Sequence, residues 1–237
     1  MKPVAIFRHN PTEGPGYFAI FLEQQGIPWQ LIAIDAGDTI PISASPYAGL
    51  CFMGGPMSVN DPLPWIGPVC DLIRDAVNQD IPVIGHCLGG QLISKALGGR
   101  ITRNPVKEIG WGTAMGEDHE IAAHWLGARA GATSTVFQWH GETFSLPEGA
   151  TRLFSSAHCA NQMFVRGPHL AMQCHVEMTP EMIATWSQQW ADEAISAADQ
   201  PSVQTPAQML EPIPVQLPLM RELSRQLYSV WIQGLRF

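Results

Sequence analysis

With 237 residues, 46% of them hydrophobic and only 14% charged, the chain can build one large core, or a domain with an appendage. Its 13 Lys and Arg against 21 Asp and Glu leave a net charge of −8, and the basic residues form no block, which argues against a nucleic-acid surface. No apolar run approaches the roughly 20 residues that span a bilayer, and five cysteines without a C-x-x-C pattern suggest a reduced compartment and no disulfide framework. The expected setting is cytoplasmic.

The opening MKPVAIFRHN carries too short an apolar stretch for a signal peptide and reads as a first strand, Val4 to Phe7. A polar loop rich in Gly and Pro, His9 to Gly16, follows. Tyr17 to Gln25 has apolar residues at helical spacing and stops at Gly26. Trp29 to Ile34 and Gly49 to Met53 read as strands, the latter running into Gly54-Gly55-Pro56. Ile66 to Val77 predicts an amphipathic helix, ended by Asp80 and Pro82. The apolar run Pro82 to Ile84 suits a strand buried on both faces. Gly85 and the pair Gly89-Gly90 then bracket Cys87, and QLISKALGG continues at helical spacing. Strands alternating with helices predict an α/β fold with a mostly parallel sheet.

After Gly99 the pattern changes. Arg100 to Met115 and Ala132 to Trp139 are strand-like, with helical Glu120 to Leu126 between them, and predict an antiparallel annex to the sheet. Asn161 to Arg166 and His169 to Val176 predict a hairpin turning at Gly167-Pro168. Thr179-Pro180-Glu181 starts a helix that runs to about Ala198. Asp199 to Pro218 reads as a linker. A last amphipathic helix follows, from about Leu219 to Leu235, with its stripe at Leu219, Met220, Leu223, Leu227, Val230, Trp231 and Leu235. The chain thus divides into a domain of residues 1–198 and an appendage, 199–237, that packs on the domain or on a partner.

A strand, a Gly-flanked turn and a helix around Cys87 make a nucleophile elbow, with cysteine where many hydrolases carry serine. The helix N-terminus favours negative charge at that point, and the Leu88 N–H faces the same space, where an oxyanion would form. A cysteine nucleophile needs a base and a group to orient it. Among eight histidines, His175 stands out because Glu177 follows two residues later. On a strand, that spacing puts both side chains on one face. A metal site from His158, Cys159, Cys174 and His175 lacks zinc-type spacing, so neither a metal nor a cofactor is expected.

Five segments carry a family resemblance in order across residues 1–190: GGPMS at Gly54 to Ser58, GHCLGGQ at Gly85 to Gln91, QWHGETF at Gln138 to Phe144, ANQMF at Ala160 to Phe164 and QCHVEM at Gln173 to Met178. Together they resemble the class I glutamine amidotransferases, and among these the stand-alone, GMP-synthase-like proteins. The resemblance implies a three-layer, flavodoxin-like α/β sandwich with a mostly parallel central sheet, here with a C-terminal helical extension. It implies a Cys87-His175-Glu177 triad, an oxyanion hole at Gly54, Gly55 and Leu88, and substrate contacts from Gln91 and from the main chain at Asn161-Gln162. Gln138 to Gly141 would form a loop beside the pocket, with His140 supporting it and Glu142 on the acceptor side. Val176 stands where the family commonly has proline, and the alternation of His175 and Glu177 is unaffected. His86 is expected on the face of the strand end opposite the nucleophile, and Cys174 in the core.

The implied activity is hydrolysis of the glutamine γ-amide through a γ-glutamyl thioester on Cys87, releasing ammonia for an acceptor or synthase partner that the sequence does not name. The alternative enzyme is a γ-glutamyl peptide hydrolase with the same triad. A non-catalytic regulatory module is the reading from another class, and the intact triad argues against it. Partners are then the small-molecule substrate and a synthase, or a second copy in a homo-oligomer, with no nucleic acid and no membrane.

Overall fold

Alternate residues of the first strand, β1 (Val4–Arg8), bury on opposite sides: Val4 and Ile6 join one core, Ala5 and Phe7 the other. This is the pattern of a strand covered on both faces, and the computed structural model, which describes residues 1–237, repeats it along the first half of the chain. There α1 (Gly16–Gln24), β2 (Trp29–Ala33), β3 (Gly49–Phe52), α2 (Ile66–Asn78), β4 (Val83–His86) and α3 (Leu88–Ala96) follow β1 in alternation. The second half holds β5 (Ile101–Gly116), α4 (Glu120–Leu126), β6 (Thr133–Phe144), β7 (Thr151–Ser155), β8 (Met163–Arg166) and β9 (His169–Met172), then α5 (Pro180–Gln189), α6 (Ala191–Ser196), α7 (Pro206–Leu210) and α8 (Ile213–Trp231).

All nine strands form one sheet in the order β2-β1-β3-β4-β9-β8-β7-β5-β6. The first five are parallel, and the hairpin β8–β9 turns the sheet antiparallel from there outward. Helices α2 and α3 cover one face, and α1, α5 and α8 cover the other, giving three layers. The strand order reverses between β1 and β3, and the loops after β1, β3 and β4 meet at their carboxyl ends, where doubly wound sheets hold their ligands. No helix is long and apolar enough to cross a membrane.

Several elements differ from the sequence reading. Strand β7 lay unread in Thr151–Ser155, a short segment pairing by main chain with β5 and β8. Strand β6 continues through Gln138 to Phe144, so this segment is an edge strand along the cavity rather than a loop. His175 and Glu177 lie beyond the end of β9, and only His175 keeps a bridge, to Phe137 of β6. The helix after Thr179 breaks at Trp190, whose ring packs on Trp139 and Trp186 at centroid distances of 5.4 and 5.1 Å.

The supposed linker is also partly helical. Helix α8 begins at Ile213 and carries Pro218 inside it, near enough to its start that one main-chain hydrogen bond is lost and the helix persists. Its buried face is Met220, Leu223, Ser224, Leu227, Tyr228 and Trp231, whereas Leu219 is 48% exposed. That face lies on α1, where Phe18 meets the rings of Tyr228 and Trp231 edge-on at 4.9 and 5.5 Å. Because α8 completes the core on this side, Leu227→Ala should cost about 2–5 kcal/mol of unfolding free energy. Chemical denaturation checks this, and a loss under 0.5 kcal/mol would mean that α8 contributes little to the core.

Candidate active site

Cys87 occupies the turn between β4 and α3 with φ 49° and ψ −107°, a conformation few non-glycine residues adopt. Neighbouring glycines make room for it. A Cβ on Gly89 would collide with the main chain of Phe52, and one on Gly90 with that of Met172, so α3 starts directly above β3 and β9. The turn leaves the Cys87 side chain 7% exposed at the floor of a cavity of about 620 Å³. The Leu88 N–H, at the first residue of α3, and the Gly55 N–H have no acceptor in the protein. His9 fixes the turn that carries Gly54 and Gly55, through a hydrogen bond between its Nδ1 and the Met53 carbonyl at 3.0 Å.

The segment after β9 brings His175 to Cys87. Its main chain is stitched to β6 by two hydrogen bonds with Phe137, at 2.8 and 3.0 Å, and the Trp186 ring stands edge-on to the imidazole at 4.9 Å. Glu177 Oε1 is 2.6 Å from His175 Nδ1, and its Oε2 accepts the Val176 N–H at 2.9 Å. Both residues are 1% exposed. Burial opposes charge on the imidazole, but Glu177 and the Cys87 sulfur outweigh it and hold His175 well above its ordinary range. Burial would likewise raise Glu177, yet His175 and His86 hold its carboxyl well below the carboxylate range.

Behind this pair lie further buried polar groups, from β4 and α8. His86 faces α8 rather than the cavity, with its Nε2 hydrogen-bonded to the Tyr228 hydroxyl at 2.9 Å and 3.9 Å from Glu177 Oε2. Burial keeps His86 below its usual value despite that carboxylate. Helix α8 also holds the backbone of the segment, as Ser224 Oγ donates to the Val176 carbonyl and Arg221 to that of Met178, each at 2.5 Å.

Of the remaining sequence candidates, Gln91 lines the cavity and donates to Gln173 Oε1 at 3.1 Å, while Gln173 Nε2 points at Cys87 Sγ at 3.5 Å. Asn161 and Gln162 are kept off the cavity wall. Asn161 donates to the Phe144 carbonyl at 2.9 Å. The main chain of Gln162 is used by Phe154 and Gln173, and its amide donates to Glu108 Oε2 at 2.7 Å. Glu108 also meets His140 Nε2 at 3.1 Å. Glu108, His140 and Cys159 bring ligand-type atoms within 4.8 Å of one another. Hydrogen bonds already use them, and burial raises the Cys159 thiol, which disfavours a thiolate ligand. Cys174 is fully buried with its Sγ toward the Gln162 carbonyl, apart from His175. Glu142 lines the cavity and accepts from Ser58 Oγ at 3.1 Å.

Three residues at the site were not singled out from the sequence. Gln173 follows directly on the end of β9, where the regular strand has stopped, and its side chain turns to Gln91 and Cys87. Tyr228 comes from 142 residues beyond His86, and nothing local announces it. Glu13, in the loop after β1, is 4% exposed and lines the cavity. Burial, reinforced by Glu177 and partly offset by His175, pushes its carboxyl up to about 8. Trp139, whose carbonyl is 3.8 Å from Cys87 Sγ, lines the cavity with Trp186, Trp190, Lys107 and Glu193, the last two pairing at 2.6 Å.

Comparison with known proteins places these features in a family. The family model for glutamine amidotransferase class-I matches residues 21–186. The chain is 31% identical over 211 residues to the glutamine amidotransferase-like protein YfeJ of Salmonella typhimurium, covering 85% of this chain and 86% of that one. It is 28% identical over 178 residues to gamma-glutamyl peptidase 3 of Arabidopsis thaliana, 71% of each. The crystal structure of a glutamine amidotransferase from Methylobacillus flagellatus superposes with a TM-score of 0.95 at 41% identity, over 100% of this chain and 96% of that one.

Two outcomes are expected. Tyr228→Phe removes a buried hydrogen-bond partner of His86 and should cost about 1–3 kcal/mol in denaturant unfolding; an unchanged midpoint would show the bond to be dispensable. Glu13 titrates near 8 in the folded chain against 4.5 for an ordinary glutamate, so between these values the folded state holds a proton that the unfolded state has lost. Wild type should therefore lose stability relative to Glu13→Gln as pH rises from 5 to 8, on the order of 1 kcal/mol per pH unit. Melting temperatures across that range check this, and a pH-independent difference would mean that the carboxyl titrates normally.

Proposed function

The chain belongs to the class I glutamine amidotransferase family, and from that membership we propose that it hydrolyses a γ-glutamyl amide, glutamine in the simplest case, through a γ-glutamyl thioester on Cys87. The observation that carries this reading is the meeting of Cys87 with a buried, Glu177-bound His175 beside two unpaired main-chain N–H groups. His175 takes the thiol proton, and Sγ attacks the γ-carbonyl carbon. The Leu88 and Gly55 amides receive the oxyanion that develops, which needs donors already aimed and free of other partners. As the C–N bond breaks, His175 returns the proton to nitrogen, and ammonia or an amine leaves. Water then attacks the thioester, with His175 as base, and glutamate is released. Gln91, held by Gln173, faces the α-amino acid end of the substrate. With glutamine, the ammonia passes to an acceptor or synthase partner on another chain.

A second reading, cleavage of γ-glutamyl peptides, is favoured by the aromatic lining of the cavity. A volume of about 620 Å³ with the half-buried rings of Trp139 and Trp190 in its wall offers apolar area to a leaving group much larger than ammonia. Trp186 and Trp190 come from α5 and its end, so this wall belongs to the chain itself. Under this reading no acceptor protein is needed.

Incubation with a glutamine-analogue chloroketone should add one equivalent to Cys87, read by peptide mass spectrometry, and labelling elsewhere would remove Cys87 as nucleophile. Cys87→Ser should lower turnover of any γ-glutamyl amide at least about a hundredfold while the fold persists, since the serine hydroxyl is a far weaker nucleophile on an unaltered base. Steady-state kinetics on glutamine and on γ-glutamyl dipeptides separates the two readings. A dipeptide preference in kcat/KM of tenfold or more supports the second, and equal or better use of glutamine supports the first.

A further inference from the structure

Glu13 has no role in the chemistry derived so far, yet its position is closely specified. Its loop is pinned on three sides: the Glu13 N–H donates to the Asn10 carbonyl at 3.0 Å, Trp186 Nε1 to that of Thr12 at 2.9 Å, and the Tyr17 N–H to that of Glu177 at 2.8 Å. Glu13 is 4% exposed and forms part of the cavity wall, and its carboxyl makes no hydrogen bond within the protein. A carboxyl so enclosed, open only to the cavity, is costly unless a donor meets it there. Of the charged groups that act on it, His175 is engaged by Glu177 through Nδ1, and Glu177 is another acid and supplies no donor.

The glycine at 54 locates the carboxyl. A Cβ built there would overlap Glu13 Oε2 and stand 3.2 Å from His175 Cε1. Carboxyl, Gly54 and the edge of the imidazole therefore converge at one point. That edge joins Nδ1, which Glu177 occupies, to Nε2, which serves the thiol and the substrate. Cε1 is bonded to Nε2, so a carboxyl at that edge adjoins the ring nitrogen that would pass the proton.

We propose that Glu13 is a substrate contact for the departing nitrogen, its carboxyl oxygen accepting an N–H of a primary or secondary γ-glutamyl amide as the C–N bond breaks. This rests on the γ-glutamyl amide reading above. The balance of the step is unchanged: the S–C bond forms, the C–N bond breaks, and the thiol proton reaches nitrogen through His175. Glu13 supplies an acceptor and neither gains nor loses a proton overall. With its carboxyl pushed up to about 8 by burial, Glu13 is protonated in the resting site near neutrality, and a carboxylic acid still offers its carbonyl oxygen. The contact also discriminates, since an ester has no N–H to give.

The test compares two substrates of the full chain that share an acyl group, γ-glutamyl anilide and the γ-methyl ester of glutamate, by kcat/KM, which reports the acylation step. Glu13→Ala should lower kcat/KM for the anilide about tenfold or more and leave the ester within about threefold. Glu13→Gln keeps a carbonyl oxygen and should restore most anilide turnover, and melting temperatures confirm that both variants fold. Equal losses on anilide and ester would make Glu13 part of the cavity's shape only and overturn the proposal, as would an anilide rate untouched by Glu13→Ala. Wild type inert toward both substrates would instead overturn the γ-glutamyl amide reading, and this inference with it.

Discussion

The backbone of Cys87 is the constraint on which the site depends. A non-glycine residue at φ 49° and ψ −107° costs on the order of 1–3 kcal/mol and persists only where its surroundings leave no alternative. Here the surroundings are the main chains of Phe52 and Met172, against which α3 sits so closely that positions 89 and 90 have no room for a side chain. Parallel pairing of β3, β4 and β9 fixes those main chains. The sheet thus forces the turn, and the turn projects the thiol from the sheet's carboxyl edge while leaving the first amide of α3 unpaired.

Charge in this site is held by exchange of partners rather than by water. The His175–Glu177 pair is almost fully buried, where isolated charges are expensive and opposite charges stabilise each other strongly. Further polar groups back the pair in sequence: the Val176 N–H donates to Glu177, His86 stands 3.9 Å behind the carboxylate, and Tyr228 is hydrogen-bonded to His86. A half-satisfied network of this kind would be worse than an apolar core. Helix α8 accordingly does two jobs with one face. Met220, Leu223, Leu227 and Trp231 fill the core, and Ser224 and Tyr228, at the same spacing, secure the polar segment.

The tryptophan-lined side of the cavity is built from distant pieces as well. Trp139 of β6 donates its indole N–H to Glu193 of α6, which also pairs with Lys107 of β5, so the aromatic surface is clamped by a partly exposed ionic contact. The break in the helix at Trp190 follows from this arrangement, because its ring turns in to pack on Trp139 and Trp186. The thiol is thus enclosed by closely packed main chain, and the rim of the cavity by a partly exposed ionic seam.

What the sequence determined by itself is what short-range periodicity and local motifs encode. The double-sided burial of β1, β3 and β4 and the elbow at Cys87 are readable from neighbours a few residues apart, whereas His175 and Glu177 meet past the end of β9, outside the strand alternation that the sequence suggested. The family resemblance carried by five ordered segments is readable too. The main-chain-driven features were not legible: β7 is short and pairs by its backbone, and α8 starts six residues before the expected point because tertiary packing outweighs one proline. Beyond the reach of any local signal lay the contacts that join distant elements. Glu13 beside His175, Tyr228 beneath His86 and the tryptophan wall depend on which loop or helix packs against which. Gln162 illustrates the converse, a motif residue whose polar groups the fold spends elsewhere, on Glu108, Phe154 and Gln173. Periodicity fixes which face a side chain takes, whereas its partner is fixed only when long-range burial has closed the core and set distant polar groups beside one another.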